Sequence, residues 1–594
     1  MIRLMTGNEA VAQGAYEAGV CFAAAYPGTP STEILENLAK FKADVIAEWA
    51  PNEKVTLESV IGASIAGVRA LAAMKMVGVN VAADPLFSVA YTGVNGGVVL
   101  VSADDPGLHS SQNEQDNRHY ATFAKIPMLE PSDSQESKDM VKAAFEISET
   151  FDMPVLFRMT TRVCHSKSLV TLGKRKGTPR RLCPKDLSKY NLVPALARRQ
   201  RPRLEAKLKK LAEYSETCEF NRIEWNSPKI GIITSGISYQ YAREVFGDSA
   251  SYLKLGFTHP LPKEKIRAFA AKVETLYVIE ELEPFLEDQI RQLGIACIGK
   301  DRLSNMYEFN PAIVAKSLLG IESPVISYDP ATLPPRPPVF CAGCPHRGFF
   351  YELGKKARRR NLMISGDIGC YALGYNYPLE ALDLCVCMGA GPSMAHGAQK
   401  IFSKFGDDRR VVATIGDSTF FHTGIPSLID AVYNKSNAII CILDNRTTAM
   451  TGQQDNPGSG FTLQGEPTKI IDIEAVVRAL GVDHVRVVNP RDLLGVRRAL
   501  TWAFELDEPS VIITKYPCTL AKHVSEEHDE SRAMTVLEAG CIGCRLCLNV
   551  GCPALSFDRG SKKAQIDANI CDGCGVCSYT CKSAAMVLGE LADA

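Results

Sequence analysis

Residues 411–454 read VVATIGDSTFFHTGIPSLIDAVYNKSNAIICILDNRTTAMTGQQ, and their order of apolar and polar blocks decides the fold. Val411–Asp417 has the character of a buried strand and stops at Gly416-Asp417. A helix-like segment follows, and a second apolar strand, Ala438–Leu443, ends in Asp444-Asn445. Two adjacent parallel strands would place Asp417 and Asn445 side by side at their C-terminal ends, where open α/β sheets bind ligands. A carboxylate, an amide oxygen and a nearby backbone carbonyl are hard oxygen ligands, a set that suits Mg²⁺ held against a diphosphate. Taken alone, the pattern also describes a plain βαβ unit with polar strand ends.

The rest of the chain narrows this choice. With 594 residues, several domains with ample core are expected. The net charge of −1 and 22% charged residues point to neither nucleic acid nor membrane as a partner. MIRLMTGNEA shows no charged-then-apolar leader, and the longest apolar region, near 60–101, is interrupted by Arg69, Lys75 and Asp84. A cytoplasmic location is the expectation. Residues 1–165 read as a first α/β domain, with a helix over Asn8–Ala18, a short strand over Cys21–Tyr26 and a turn at 27–33. VTLESVIGASIAGVRALAAMKMVG then reads as one helix rich in small residues, with Glu58 near its start. A glutamate there is also explained as a carboxylate at a helix N-terminus, and Glu53 competes for any role given to it. A buried strand precedes the polar stretch DDPGLHSSQNEQDNR, whose Asp104, His109, Ser110, Ser111, Gln112 and Arg118 suit a site loop or a solvated one.

Residues 166–228 differ. Between Lys174 and Lys210 there are 14 Lys/Arg against two acids, with prolines at 179, 184, 194 and 202, which reads as a basic linker carrying a short helix. Docking to an acidic partner or a phosphate-rich substrate is the other reading. A middle α/β domain is expected at 229–330, a domain around the opening motif at 331–525, and a cysteine-rich module at 535–594.

That module carries the most specific signal. Cys541, Cys544 and Cys547 are followed by Cys552-Pro553, and Cys571, Cys574 and Cys577 by Cys581. Two C-x2-C-x2-C runs, each with a later fourth cysteine, are the two-cluster ferredoxin pattern, in which each fourth cysteine ligates the other run's cluster. One [4Fe–4S] cluster would then use Cys541, Cys544, Cys547 and Cys581, and the other Cys571, Cys574, Cys577 and Cys552. Zinc is the alternative, although zinc sites rarely use paired triads at this spacing. The first run departs from the pattern with four residues before its last cysteine, and the second lacks a trailing proline.

The opening motif resembles the signature of thiamine-diphosphate (ThDP) enzymes, Gly-Asp-Gly followed a strand later by Asn-Asn. Gly416-Asp417-Ser418 and Asp444-Asn445 depart from it at the third and fourth letters. The resemblance implies Mg²⁺ ligands at Asp417, Asn445 and the Thr447 carbonyl. It also implies a glutamate, here Glu58, that hydrogen-bonds the cofactor's aminopyrimidine. Such a cofactor attacks a 2-oxoacid and takes up electrons as CO₂ leaves, with the protein orienting and tuning it. Clusters in the same chain make sense for an oxidative decarboxylation that passes single electrons outward.

YPGTPSTE, DDPGLHSSQNEQDNR, CAGCPHR, SGDIGCYALG, CMGAGPSMAHG and DNRTTAMTGQQ extend the likeness across essentially the whole chain. Together they resemble the alpha subunits of the indolepyruvate ferredoxin oxidoreductases, a family of 2-oxoacid:ferredoxin oxidoreductases. The resemblance implies an α/β fold of several doubly wound ThDP-type domains followed by a two-cluster ferredoxin-like α+β domain. It implies oxidation of an aryl-2-oxoacid with CoA and ferredoxin, and a smaller beta subunit in an α₂β₂ assembly. Thr29, His109 and Arg118 would face the substrate, while Gly366, Asp367, Gly389, Ala390, Gly391 and Gly416 would line the cofactor. Cys341, Cys344, Cys370 and Cys518 would hold a third cluster or be ordinary thiols. A pyruvate or branched-chain 2-oxoacid substrate, a ThDP carboligase and a non-enzymatic electron-transfer subunit remain the competing readings.

Overall fold

The computed structural model describes residues 1–589 except 184, 323, 325, 335 and 522–532. The chain divides into two compact units, Met1–Tyr328 and Asp329–Ala594. The expected boundary between residues 525 and 535 lies largely outside the described residues.

The first unit is built on a seven-stranded sheet. Its order is Phe257–His259, Met128–Leu129, Val155–Thr160, Val98–Asp104, Ala70–Lys75, Phe22–Ala25, Ile46–Trp49, and all pairs are parallel except the first. The central strands are buried on both faces, as helices covering a parallel sheet require. This corrects the reading of 55–78 as one helix. The helix runs over Glu53–Ile65, capped by Asn52, whose side chain accepts the Val55 N–H, and ALAAMK is a core strand. Doubly buried strands of small residues show no period of two, so the pattern disguised the boundary. Glu58 consequently sits in the second turn, not at the start.

The stretch 166–228 is more ordered than a linker. Lys167–Thr171 pairs antiparallel with Ile2–Thr6, and Pro194–Thr217 is a 24-residue helix that buries Leu204 and Leu211. Asn221–Glu224 joins a second sheet with Ser251–Leu255, Ile230–Ser235 and Thr275–Ile279.

The second unit contains a five-stranded, all-parallel sheet ordered Leu362–Ser365, Arg410–Gly416, Ile439–Asp444, Ser510–Lys515, His484–Val488. Gly416 lies opposite Leu443, so the two motif strands end together, as their sequence predicted. The cysteine-rich segment forms two antiparallel strand pairs, Met534–Val536 with Met586–Leu588 and Leu555–Asp558 with Lys563–Ile566. Its Val550 and Val576 share a core with Phe340, Phe349, Phe350 and Leu500, so this segment packs as part of the unit.

Candidate active site

At the paired strand ends of the second unit, Asp417, Asn445 and Thr447 are all buried. The Asn445 amide oxygen lies 2.8 Å from the Thr447 carbonyl oxygen and 3.1 Å from Asp417 Oδ1. With Mg–O bonds of about 2.0–2.1 Å, neighbouring ligands of an octahedral ion are about 2.9 Å apart. An amide oxygen at about that spacing from two others suits a small hard cation; without one, turning the amide makes both contacts hydrogen bonds. Asn456 donates to Asp417 Oδ2 at 3.0 Å and fixes the carboxylate. Burial, reinforced by the neighbouring Asp444, pushes the Asp417 carboxyl up to about 8, the mark of a negative charge short of a partner.

The glycine-rich segments shape this end of the sheet differently from the expectation. Asp367 does not present a free carboxylate: it accepts the N–H groups of Gly389 (2.8 Å) and Gly391 (3.1 Å). It thereby caps helix Ala390–Lys404 from the preceding strand end. Gly391 has no room for a side chain, since a Cβ would meet the Gly366 and Thr414 carbonyls at 3.0 Å. Gly416 likewise abuts the Tyr371 ring. His346 of CAGCPHR adds a neighbour that motif spacing alone did not single out. It is buried 3.5 Å from the Asn445 amide nitrogen, and burial pushes it down to about 4, so it is a neutral imidazole.

Four cysteines gather beside this cradle. Cys344 feels the charges of Cys370 and Cys341, while Cys370 and Cys518 both feel Cys341 and Asp417. Burial pushes Cys344 up to about 12 and Cys370 up to about 11. The Cys518 N–H donates to the Asn445 carbonyl at 3.0 Å, which ties this set to the metal-type site.

The cysteine-rich segment has two separate hollows, and the eight cysteines divide evenly between them. One is lined by Cys552, Cys571, Cys574 and Cys577, the other by Cys541, Cys544, Cys547 and Cys581. All twenty cysteines are free thiols. Among the described residues no three His, Cys, Asp or Glu side chains close on a single-ion site; these cysteines stand around the hollows instead. Gly343 and Arg347 of the 341–347 loop line the first hollow as well. Arg347 donates to the carbonyls of Cys341 (2.8 Å), Val550 (3.1 Å) and Gly551, and Arg491 bridges the Gly343 carbonyl (3.0 Å) to Asp572 (2.7 Å).

The first unit revises two expectations. Glu58 is 46% exposed and pairs with Lys54 one turn away, whereas Glu53 is 6% exposed at the helix start. Glu53 packs so closely on Gly78 that a Cβ there would stand 2.6 Å from Oε1. Arg118 is not a substrate-facing cation: it is fully buried, pairs with Asp116 and Glu280, and donates to the Glu281 and Glu283 carbonyls. The guanidinium joins the 104–118 loop to residues 280–283, a contact whose partners lie 162 residues apart. Thr29 and His109 remain accessible in part. The Ser110 hydroxyl donates to the Thr29 carbonyl at 3.2 Å, and His109 Nε2 lies 3.2 Å from Glu308.

Comparison with known proteins defines the class first. Residues 367–514 match the family described as thiamine pyrophosphate enzyme, C-terminal TPP binding domain. Residues 13–227 match pyruvate flavodoxin/ferredoxin oxidoreductase, thiamine diP-bdg. The oxygen cradle and the Glu53 helix thus fall within two domains of thiamine-pyrophosphate enzymes. The chain is 42% identical to indolepyruvate oxidoreductase subunit IorA of Archaeoglobus fulgidus, over 98% of this chain and 97% of that one. It is 41% identical to the IorA subunit of Pyrococcus horikoshii, over 97% and 95% of the two chains. The IorA subunit of Methanothermobacter marburgensis is 40% identical, over 98% and 96%. The chain belongs to the indolepyruvate oxidoreductase subunit IorA family.

Proposed function

We infer that this chain is the catalytic alpha subunit of an oxidoreductase that decarboxylates aryl-2-oxoacids of the indolepyruvate type. The overall change converts the 2-oxoacid and CoA to an acyl-CoA and CO₂. Two one-electron ferredoxins are reduced and one proton is released. The observation that carries this reading is the contact between the oxygen cradle and the cysteine sets within one unit. A non-oxidative decarboxylase or carboligase leaves those cysteines without a role.

ThDP, when bound, supplies the carbanion that attacks the 2-oxoacid and retains the electrons left by CO₂. Asp417, Asn445 and the Thr447 carbonyl would hold Mg²⁺ against its diphosphate, and Asp367 would keep the Gly389–Gly391 turn in shape. Glu53, not Glu58, is the carboxylate suited to bond the aminopyrimidine, because it is buried and fixed at a helix start. The C-terminal segment would hold two [4Fe–4S] clusters in a ferredoxin-like domain. The Cys552/Cys571/Cys574/Cys577 hollow shares its lining with the 341–347 loop, so it would receive electrons first. Cys341, Cys344, Cys370 and Cys518 would hold a third cluster; Cys518 borders the cradle, and the loop carrying Cys341 and Cys344 borders the hollow. A smaller beta subunit would complete an α₂β₂ assembly, in a cytoplasmic location.

The test is an anaerobic assay of the complex with its beta subunit, supplying CoA and a viologen acceptor. Indolepyruvate or another aryl-pyruvate is expected to reduce the viologen only when CoA is present. Pyruvate matching every aryl-pyruvate would overturn the aryl assignment, and no 2-oxoacid-dependent reduction would overturn the function. Iron analysis of the full-length protein with Cys341, Cys344, Cys370 and Cys518 replaced by serine tests the third cluster: iron content equal to wild type leaves those four cysteines structural.

A further inference from the structure

Lys75 ends the central strand Ala70–Lys75 of the first unit and is 9% exposed. Its ammonium donates to the Ser110 carbonyl at 2.5 Å and lies 3.4 Å from the Ser110 hydroxyl, which donates to the Thr29 carbonyl. Gly28 lies against its stem, where an added Cβ would stand 3.1 Å from Lys75 Cβ. The charge therefore sits where the 27–30 turn meets the 105–111 loop, at the C-terminal end of a parallel strand. Ligands of open α/β sheets bind at such strand ends.

The comparison with other buried lysines is informative. Lys138 faces Glu17 and Asp139, and Lys254 faces Glu136. Among the described residues Lys75 is the buried lysine that forms no ion pair; both of its hydrogen-bond partners are neutral. Asp105, the acid of this loop whose charge acts on Lys75, makes its hydrogen bonds to other groups. It accepts from the Ser110 N–H, the Ser111 hydroxyl and the Thr161 hydroxyl. Arg118, the loop's other cation, is occupied by Asp116 and Glu280. A buried charge is unfavourable unless something pairs with it, and an ammonium has three donors to satisfy.

We propose that Lys75 binds the carboxylate of the 2-oxoacid substrate, with Thr29 and Ser110 beside it. This assignment rests on the functional reading above. An arriving carboxylate supplies the missing counter-ion. Burial pushes Lys75 down to about 8, with Asp105 opposing, and a bound carboxylate would restore the charged form. The contact exists before CO₂ departs, so it strengthens substrate binding more than it speeds the chemical step.

The experiment uses the complete complex with its beta subunit and compares Lys75→Met and Lys75→Gln with wild type. Gln retains a donor for the Ser110 carbonyl but removes the charge. KM for the aryl-2-oxoacid is expected to rise roughly thirtyfold or more, while kcat changes much less. ThDP content, iron content and thermal midpoint should stay at wild-type values. Inhibition by the matching neutral 2-oxoamide is expected to be unchanged, which a merely structural loss would not allow. Unchanged KM in Lys75→Gln, or equal weakening of acid and amide, overturns the assignment. Should Lys75→Met fail to fold, Lys75→Gln decides alone by the same acid-against-amide ratio. A wild-type complex that oxidises no 2-oxoacid overturns the functional reading together with this one.

Discussion

Two clusters of buried carboxylates stand at C-terminal strand ends, one in each unit, and their charges are balanced by opposite means. In the first unit Asp104 meets Arg158, while Asp116 and Glu280 meet Arg118. Burial still raises Asp104 to about 6 and raises Glu280, but at Asp116 the Arg118 guanidinium outweighs it and holds the carboxyl at about 2. In the second unit Asp417 and Asp444 are buried with no ion pair among the described residues, and burial raises both. The first cluster is closed by the chain itself and acts as structure. The second leaves its charge for a cation that the chain does not supply. Burial of acids alone thus says little about function; what completes the charge says more.

The largest effect is expected at the open cluster. Asp417→Ala should abolish Mg²⁺-dependent retention of ThDP on desalting, because the diphosphate loses its bridging cation. Unchanged ThDP occupancy would break the comparison at its root. Next comes the pair of glutamates on helix Glu53–Ile65. Glu53→Gln should cost about 10²–10⁴-fold in kcat, the usual range for a proton-handling group, with ThDP still bound. Glu58→Gln should stay near wild type, since its pair with Lys54 is solvent-exposed and screened. A reversed ranking in steady-state assays would return the role to Glu58.

Arg118→Met tests the closed cluster. It leaves Asp116 and Glu280 buried without their partner, and a loss of about 3–5 kcal/mol in stability is expected from denaturant unfolding. If stability holds while KM for the aryl-2-oxoacid rises, Arg118 faces the substrate after all. The smallest effect concerns pH. Burial pushes His259 down to about 4, with its Nδ1 at the Ile126 carbonyl and Lys125 adding to the shift. The ordinary value is about 6.5, so between these values the unfolded chain binds a proton that the folded chain does not. Stability is therefore full above about pH 6.5 and falls by up to about 3 kcal/mol as pH drops toward 4. Thermal melts of His259→Gln should lack this component; an identical pH profile would show that other groups carry it.

Much of the second unit was legible because its signals are local. The two motif strands carry their own boundaries, and the spacing of eight cysteines divides them into two groups of four, each of which lines one hollow. The first unit was harder. ALAAMK is buried on both faces, so it has no alternation to separate it from the helix before it. Which helix face Glu53 and Glu58 occupy depends on the Asn52 cap, and a shift in the assumed helix start exchanges buried for exposed. Arg118 appeared to be a loop cation because its partner Glu280 is distant in sequence.

By itself the sequence determined the two motif strands of the second unit, the side-by-side placement of Asp417 and Asn445, and the grouping of cysteines. Each of these follows from periodicity or spacing within a few dozen residues. Only the tertiary structure decided that Arg118 is neutralised, that Glu53 is buried, that Lys75 forms no ion pair, and that the 341–347 loop touches one cysteine hollow. Those are facts about where charges find partners. A charge's partner is set by packing between segments far apart in the chain, which no local pattern records.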